Sequence, residues 1–234
     1  MENQILEILN SDIRFKEALT ACMNCGVCTA ICPAAEFYKY DPRVICTIVQ
    51  SRDISEIEKL LKSEEIWYCG QCMSCKTRCP RGNAVGMIIT VLRRISQELG
   101  YFTESEKGRQ QLAIEKLIGQ NIINEGYCVH PDIVSYEAHP EQGPVWEWYR
   151  RNIEEVSPKF GAVYHQEKAG ALRKIKKENL DEIQKIFDLT GGTEFYSNIE
   201  SCALKAAESE GMLLDEEYIN KVYTDNNGSH TRDD

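Results

Sequence analysis

The chain has 234 residues and is 42% hydrophobic, which is enough apolar material for a folded core. Its mean hydropathy of −0.42 and its short apolar runs exclude a membrane-spanning helix, which needs about 18 consecutive apolar residues. The formal net charge of −10 disfavours nucleic acid as a partner. Acidic residues interrupt the apolar positions near the N-terminus, where a secretory signal would be continuous. We therefore expect a cytoplasmic protein without a membrane span.

The first hundred residues show helical periodicity and no convincing strand pattern. Asp41 and Pro42 are the expected N-cap and first residue of one short helix. A longer amphipathic helix is predicted from Asn83, its expected N-cap, to a stop at Gly100. The short helices are predicted over residues 2–9, 12–20, 42–51 and 53–63. The sequence therefore predicts an all-α fold.

The composition changes in the second half of the chain. Residues 1–100 hold 12 basic and 12 acidic side chains, whereas residues 101–234 hold 15 and 25. A capping-box pattern at Thr103 and Glu106 predicts a helix that continues to residue 121. The acidic half therefore begins with a helix of its own.

The region between Pro131 and Pro158 contains four of the seven prolines, which predicts an extended linker docked on the protein. Its aromatic residues, Trp146, Trp148 and Tyr149, are expected to cover an interface. Two helices are predicted after it, around residues 180–187 and 195–206, and the final TDNNGSHTRDD is expected to be disordered. The predicted units are a domain over 1–102, a C-terminal region over 103–223 and a tail over 224–234.

The chain has 11 cysteines, an excess that favours metal or redox chemistry in an intracellular protein. CMNCGVCTAICP begins at Cys22 and CGQCMSCKTRCP begins at Cys69, so every cysteine of the first array recurs 47 residues later. Both arrays have the spacing C-x2-C-x2-C-x3-C-P, which is typical of bacterial ferredoxins that bind 4Fe-4S clusters. We therefore interpret the repeat as a duplicated cluster-binding site.

The spacing also predicts which cysteines share a cluster. Three closely spaced thiolates can surround one face of a cluster, whereas the fourth ligand has to approach from the other side. We therefore assign the last cysteine of each array to the cluster of the other array. The first predicted ligand set is Cys22, Cys25, Cys28 and Cys79. The second predicted set is Cys69, Cys72, Cys75 and Cys32.

Zinc is the main alternative, because four soft thiolates also bind Zn²⁺. A zinc ribbon uses two separated C-x2-C pairs, which would leave the third cysteine of each array without a role. The spacing therefore favours two 4Fe-4S clusters over a zinc-stabilised scaffold or interaction module without redox activity.

Five basic residues and no acidic residue lie between Ile66 and Gln97. Positive charge there is expected to offset the negative charge of a thiolate-bound cluster and to raise its potential, or to dock a partner. The alternative is an ordinary solvated helix face. The basic residues are Lys76, Arg78, Arg81, Arg93 and Arg94.

The other cysteines and the histidines of the linker are expected to have structural roles, because they lack metal-ligand spacing. They are Cys46, Cys128, Cys202, His130, His139 and His165. No two glycines are separated by one residue, so a G-x-G-x-x-G nucleotide motif is absent, as are a P-loop and an H-E-x-x-H motif. The sequence contains no visible substrate site.

The paired arrays, the DPR helix start at 41–43 and the run IWYCGQCMSCKTRCPRG at 66–82 resemble the C subunit of heterodisulfide reductases. The resemblance covers about residues 15–105, with a further likeness at the TGG of 190–192. It implies an alpha-helical ferredoxin fold with two 4Fe-4S clusters, shared with the iron–sulfur subunits of succinate and fumarate dehydrogenases.

The same resemblance implies a role as a relay. In such complexes, the C subunit passes electrons between the A subunit, which contains a flavin, and the catalytic B subunit, which has cysteine-rich CCG domains. This chain has no adjacent cysteine pair, which favours the relay role and distinguishes the chain from the B subunit. The segment 127–165 is longer than in the methanogen enzymes, which favours sulfur oxidation over disulfide reduction as in methanogens.

Two other functions of the same chemical class stay open, namely an iron–sulfur subunit of another dehydrogenase and a free ferredoxin. The acidic chain that follows the arrays exceeds what a free carrier requires. We therefore expect a non-catalytic electron-transfer subunit of an oxidoreductase complex.

Overall fold

The computed structural model of the protein describes residues 2–136, 139 and 142–224. Within these ranges the regular structure is helical and no extended β-strand occurs, which confirms the all-α prediction. The helices of the N-terminal half are α1 (Glu2–Ser11), α2 (Ile13–Ala18), α3 (Val27–Ala30), α4 (Pro33–Phe37), α5 (Pro42–Ser51), α6 (Ile54–Lys62), α7 (Glu65–Tyr68), α8 (Ser74–Arg78) and α9 (Val85–Glu98).

The helices of the C-terminal half are α10 (Glu106–Ile114), α11 (Gln120–Glu125), α12 (Pro144–Arg151), α13 (Ile153–Val156), α14 (Lys177–Thr190), α15 (Gly192–Ser209) and α16 (Glu216–Thr224). A π-helical turn at Glu115–Gly119 joins α10 to α11. Turns of 3₁₀ helix occupy Tyr101–Glu104 and Ser157–Phe160.

Aspartates begin the two helices that follow the first array. Asp41 accepts a hydrogen bond from the backbone N–H of Arg43 at 2.9 Å, and Pro42 is the first residue of α5. Asp53 accepts from the backbone N–H of Ser55 at 3.0 Å. Each carboxylate satisfies an amide that has no partner inside the helix. The predicted bounds of α5 are confirmed, and α6 is one residue shorter than predicted at each end.

Helix α9 is the centre of the N-terminal half. Its Ile88, Ile89, Leu92 and Ile95 have 0% exposure. Helices α1, α2, α5, α6, α7 and α8 all contact it. Burial of an apolar side chain of this size contributes about 1.5–3 kcal/mol. Elements that flank both cysteine arrays are therefore held in place by packing on one helix.

The predicted N-cap at Asn83 is wrong, because the residue before α9 is Ala84. The Asn83 side chain is used elsewhere: its Oδ1 accepts from the backbone N–H of Thr20 at 2.9 Å, and its Nδ2 donates to the Ala21 carbonyl at 3.0 Å. Asn83 is 3% exposed. This buried amide joins the segment that enters the first array to the segment that leaves the second.

The predicted capping box at Thr103 and Glu106 is also wrong. Thr103 lies in a 3₁₀ turn, where its hydroxyl donates to the Gly100 carbonyl at 2.9 Å. Helix α10 is capped by Ser105, and Glu64 also accepts from the backbone N–H of Glu106 at 2.5 Å. The helical path continues through the π turn to residue 125 instead of ending at residue 121.

The extended linker predicted over 131–158 is partly helical, because α12, α13 and a 3₁₀ turn occupy residues 144–160. Pro144 is the first residue of α12, a position where its missing N–H costs nothing. Trp146 donates from Nε1 to the Val134 carbonyl at 2.8 Å, which docks α12 on the preceding loop. Trp148, in contrast, is 56% exposed.

The two helices predicted near the C-terminus are confirmed as α14 and α15. Ile199, Ala203 and Ala207 of α15 and Tyr218 and Val222 of α16 belong to the same hydrophobic core as α9. The structure therefore packs part of the acidic half directly on the N-terminal half. The division at residue 102 stays a prediction about independent units.

The predicted disordered tail, 224–234, lies outside the described residues except for Thr224, which ends α16. None of the helices in the described ranges combines the length and apolar character needed to cross a membrane.

The two buried hydrogen bonds of Asn83 yield a prediction about stability. Asn83→Ala leaves a backbone N–H and a carbonyl unsatisfied near the arrays, and we expect a loss of about 1–3 kcal/mol in the free energy of unfolding. Chemical denaturation followed by circular dichroism measures it. The control is Asn152→Ala, which removes one exposed hydrogen bond to the Trp148 carbonyl and should change stability by less than about 0.5 kcal/mol. Equal effects of the two substitutions would contradict the assignment.

Candidate metal centre

The first array forms a loop between α2 and α4. Cys22 and Cys25 lie in the loop, Cys28 lies in α3 and Cys32 is the N-cap residue of α4. Gly26, just before α3, has a left-handed backbone with φ of 79°. The loop therefore turns sharply immediately after Cys25, at a residue that adopts this conformation freely.

The second array repeats this arrangement 47 residues later. Cys69 follows α7, Cys72 lies in the loop, Cys75 lies in α8 and Cys79 follows α8. Met73 takes the place of Gly26 and has the same left-handed conformation, with φ of 59°. The duplication therefore extends from sequence to backbone, even where the second array has a side chain that disfavours this conformation.

Backbone amides point at equivalent sulfurs in both arrays. The N–H of Asn24 donates to Cys22 Sγ at 3.4 Å, and the N–H of Gln71 donates to Cys69 Sγ at 3.3 Å. Donors of this kind stabilise a thiolate and lower the charge that it presents to a metal.

Helices α3 and α8 pack against each other, and two cavities flank this contact. We call them the first cavity and the second cavity. Cys22, Cys25, Cys28 and Cys79 line the first cavity. Cys32, Cys69, Cys72 and Cys75 line the second cavity. The structure thus groups three cysteines of one array with the last cysteine of the other array at each cavity; that these groups ligate clusters stays a prediction.

The donors at both cavities fit 4Fe-4S clusters. The eight array cysteines are free thiols, and four soft thiolates at each cavity are the ligand set that such a cluster requires. No three His, Cys, Asp or Glu side chains in the described part of the chain converge closely enough to hold a single metal ion. A 4Fe-4S cluster instead presents four separate iron corners to its ligands.

The two cavities differ in size. The second cavity has a volume of about 230 Å³, whereas the first has about 20 Å³. A space of the smaller size holds about one water molecule. The space between the four cysteines is therefore tighter at the first cavity than at the second.

The thiols must lose their protons to bind a metal. Burial raises the pKa of Cys28 and of Cys32, so the polypeptide alone holds these thiols protonated. At the second cavity, the Ser74 hydroxyl hydrogen-bonds to Cys72, at 3.4 Å between Oγ and Sγ, and lowers the pKa of that exposed thiol. Cluster binding is therefore expected to release protons.

Tyr40 lines the second cavity and was missed by sequence reasoning. Its side chain is 6% exposed, and its hydroxyl is buried without a hydrogen-bond partner. Burial raises the pKa of Tyr40, and the nearby sulfurs of Cys69 and Cys32 raise it further. The phenol therefore keeps its proton as a donor that the protein itself does not satisfy.

Arg93 lies on α9 behind the second array. Its Nε donates to the Ile66 carbonyl at 2.7 Å, and its Nη2 donates to the carbonyls of Trp67 at 2.9 Å and Cys69 at 2.7 Å. Its guanidinium also stacks over the Trp67 ring, 5.5 Å from the centroid. No carboxylate in the described residues pairs with Arg93. The backbone at the start of the second array is therefore hydrogen-bonded to a guanidinium that has no carboxylate partner in the described residues.

The first cavity has arginines in a different setting. Arg43 and Arg81 line it, but Arg43 pairs with Asp41 at 2.9 Å and Arg81 is exposed. Asp41 also accepts a short hydrogen bond from Thr29. Positive charge near the first cavity is therefore neutralised by a carboxylate or reached by solvent.

The remaining cysteines occupy three environments. Cys46 is 2% exposed and lines the first cavity beside the array cysteines, and burial strongly raises its pKa. Cys202 is half-buried against Gly100, whereas Cys128 is exposed. A packing role therefore suits Cys46 and Cys202, whereas the structural role expected of Cys128 stays a prediction.

The linker histidines take part in local contacts. His130 and His139 are buried, with 7% and 6% exposure. His165 bonds through Nε2 to Asp132 Oδ2 at 2.5 Å, and Tyr164 donates to the same carboxylate at 2.8 Å. These contacts tie the loop at 130–136 to the loop at 161–166 and agree with the predicted packing roles.

Comparison with known proteins supports the chemistry of the arrays. The family of 4Fe-4S dicluster domains matches residues 18–83, which contain all eight array cysteines. The C subunit of the ferredoxin:CoB-CoM heterodisulfide reductase of Methanosarcina acetivorans is 32% identical over 80% of this chain and 69% of its own length.

Two further relatives extend the similarity to other methanogens. The second iron–sulfur C subunit of the CoB–CoM heterodisulfide reductase of Methanocaldococcus jannaschii is 29% identical over 66% of this chain and 80% of its own. The C subunit of the H(2):CoB-CoM heterodisulfide,ferredoxin reductase of Methanothermobacter thermautotrophicus is 24% identical over 81% of this chain and 89% of its own. With its alpha-helical ferredoxin-like fold and its 4Fe-4S dicluster motif, the chain belongs to the C-subunit family of heterodisulfide reductases, which are iron–sulfur electron-transfer proteins.

Proposed function

We propose that the chain binds two 4Fe-4S clusters and relays electrons through them within a heterodisulfide reductase-like complex. Cys22, Cys25, Cys28 and Cys79 would hold one cluster at the first cavity, and the second predicted set would hold the other at the second cavity. When bound, each cluster supplies one-electron redox chemistry. The polypeptide contributes ligands, burial and hydrogen bonds, and it catalyses no bond rearrangement.

The observation that supports this proposal is the crossed grouping of cysteines at the two cavities. Cys28 in α3 and Cys32 at the start of α4 are four residues apart, as are Cys75 in α8 and Cys79 just after it. Because the two members of each pair line different cavities, four residues of chain link one cavity to the other in both arrays. So short a connection suits electron transfer from one cluster to the next.

The partners follow from the family. The relatives are subunits of CoB–CoM heterodisulfide reductases, which supports assembly with other subunits. We infer that this chain lies between two partners in the electron path. One is a flavoprotein like the A subunit of those enzymes, and the other is a CCG-domain protein like their B subunit. We place the complex in the cytoplasm. The names of these relatives favour reduction of a disulfide over the sulfur oxidation considered above.

Metal content tests the cofactor. After anaerobic purification we expect about eight iron and about eight acid-labile sulfide per chain, because each four-thiolate set binds one cluster. Colorimetric iron and sulfide assays with elemental analysis measure this. The proposal would be overturned if protein kept strictly free of oxygen contained two zinc ions and no labile sulfide. That result would favour a zinc scaffold.

Crossed ligation gives a sharper test. Cys79→Ser should perturb the cluster of Cys22, Cys25 and Cys28, and Cys32→Ser should perturb the cluster of the second array. Paramagnetic resonance of the reduced variants distinguishes the two signals. Cys46→Ala is the matched control: it removes a buried sulfur from the wall of the first cavity and should leave iron content unchanged. If each serine variant instead perturbed the cluster of the array in which the substitution lies, the assignment would be refuted.

An exposed aromatic residue tests the interface with the CCG-domain partner. Trp148 on α12 is 56% exposed, and aromatic residues of this kind often supply much of the binding energy of an interface. We expect Trp148→Ser to weaken binding of the CCG-domain partner by about tenfold or more in a pull-down titration, with full iron content retained. Leu213→Ser is the control, because Leu213 is 78% exposed in the loop before α16. Unchanged binding of the Trp148 variant would assign docking to another surface.

A further inference from the structure

We propose that Tyr40, Ser74 and Arg93 keep the reduction potential of the cluster at the second cavity above that of the cluster at the first cavity. An electron that enters the chain would then come to rest at the second cavity. This inference rests on the proposed function, because it requires a cluster at each cavity. According to this inference, three residues outside the ligand sets determine which cluster is reduced first.

The physical basis is the charge change on reduction. A cluster held by four thiolates is negatively charged and becomes one unit more negative when it accepts an electron. Nearby positive charge and hydrogen-bond donors therefore stabilise the reduced state more than the oxidised state, and they raise the potential. The effect is larger in a buried setting, where water screens the charge less.

Arg93 is the strongest of these groups. Its three hydrogen bonds go to neutral carbonyls, the last of them that of Cys69 itself, so its positive charge has no carboxylate to neutralise it in the described residues. Because Arg93 donates to the Cys69 carbonyl, a cluster bound by the Cys69 sulfur would place a negative charge close to this guanidinium. Reduction of that cluster strengthens the attraction.

Tyr40 adds a directed donor. Its hydroxyl is buried on the wall of the second cavity and has no hydrogen-bond partner. An unsatisfied buried hydroxyl costs a folded protein free energy. A cluster sulfur at this cavity, or the neighbouring Cys69 sulfur as its ligand, would supply the missing acceptor.

Ser74 distinguishes the two arrays at equivalent positions. In the second array, the Cys72 thiol donates to the Ser74 hydroxyl oxygen at 3.4 Å, and once Cys72 is a thiolate the same hydroxyl would donate to its sulfur. The residue 47 positions earlier is Val27, which lines the first cavity and has no donor to offer. At this position the repeat contains its own comparison. The first array has a different hydroxyl near a ligand sulfur, that of Thr29 near Cys28, but Thr29 donates its proton to Asp41.

Among the described residues, the first cavity has one buried donor without a hydrogen-bond partner, Arg43 Nε, but no cation that lacks both a carboxylate and solvent. The charge of Arg43 is offset by Asp41, and Arg81 is exposed to screening by solvent and salt. The backbone donors of Asn24 and Gln71 are alike in the two arrays and do not separate the potentials. The difference between the cavities therefore comes from Tyr40, Ser74 and Arg93.

The test is an anaerobic potentiometric titration of the full-length chain, followed by paramagnetic resonance. Tyr40→Phe, Ser74→Val and Arg93→Met should each shift the higher of the two reduction steps to lower potential and leave the lower step in place. Arg93→Lys should leave the higher step close to its wild-type potential, because lysine keeps the positive charge. Val27→Ser should raise the lower step, because it gives the first array the hydroxyl of the second.

Two variants control for remote effects. Arg94→Met removes the next residue on α9, whose charge is paired with Asp12 and Glu98, and Tyr101→Phe removes a phenol beside Lys62. Neither should move either step. Tyr40→Phe keeps the test valid even where Arg93→Met fails to fold, because it removes one oxygen atom that has no partner in the protein.

The outcomes separate this inference from the proposed function. Iron and sulfide assays on every variant report whether both clusters are present. Suppose that Tyr40→Phe and Ser74→Val keep their full cluster content. If the potential of the higher step is then unchanged, or if the lower step shifts instead, the inference is overturned and the proposed function stands. Wild-type protein that binds fewer than two clusters would overturn the proposed function itself.

Discussion

Only four residues separate Cys28 from Cys32 and Cys75 from Cys79, yet the two members of each pair line different cavities. Much of the structure depends on this constraint. Helices α3 and α8, which carry Cys28 and Cys75, lie against each other, so that each cavity receives cysteines from both arrays. It also makes the cavities neighbours without any further device, which is the geometry that an electron relay needs.

The rest of the N-terminal half holds these two helices in register. Helix α9 provides a buried surface on which the elements around both arrays pack, and Asn83 joins the entry of one array to the exit of the other. Arg93, also on α9, binds three carbonyls of the chain that leads into the second array. The residue that is suited to tune a cluster is thus also a residue that positions the loop around it.

Sequence reasoning succeeded where the information is local or repeated. The 47-residue offset predicts the two cysteine groups found at the cavities, and Asp41 indicates a helix start through its own backbone contact. It failed at Asn83, because an asparagine before an apolar helix has the pattern of a cap even when its amide bonds residues 62 and 63 positions away. Tyr40 carries no sequence signal, since only the folded chain shows that its hydroxyl is buried without a partner.

The crossed arrangement of the arrays also bears on how the protein is made. Under the proposed ligation, the second set is incomplete until Cys75 has been synthesised, and the first is incomplete until Cys79 follows it. Neither cluster can therefore be fully bound by a nascent chain that presents only the first array to the cell. The tighter first cavity is also the one whose last ligand, Cys79, is synthesised latest. Under this ligation, a complete ligand set at either cavity thus requires that both arrays have been synthesised and have met.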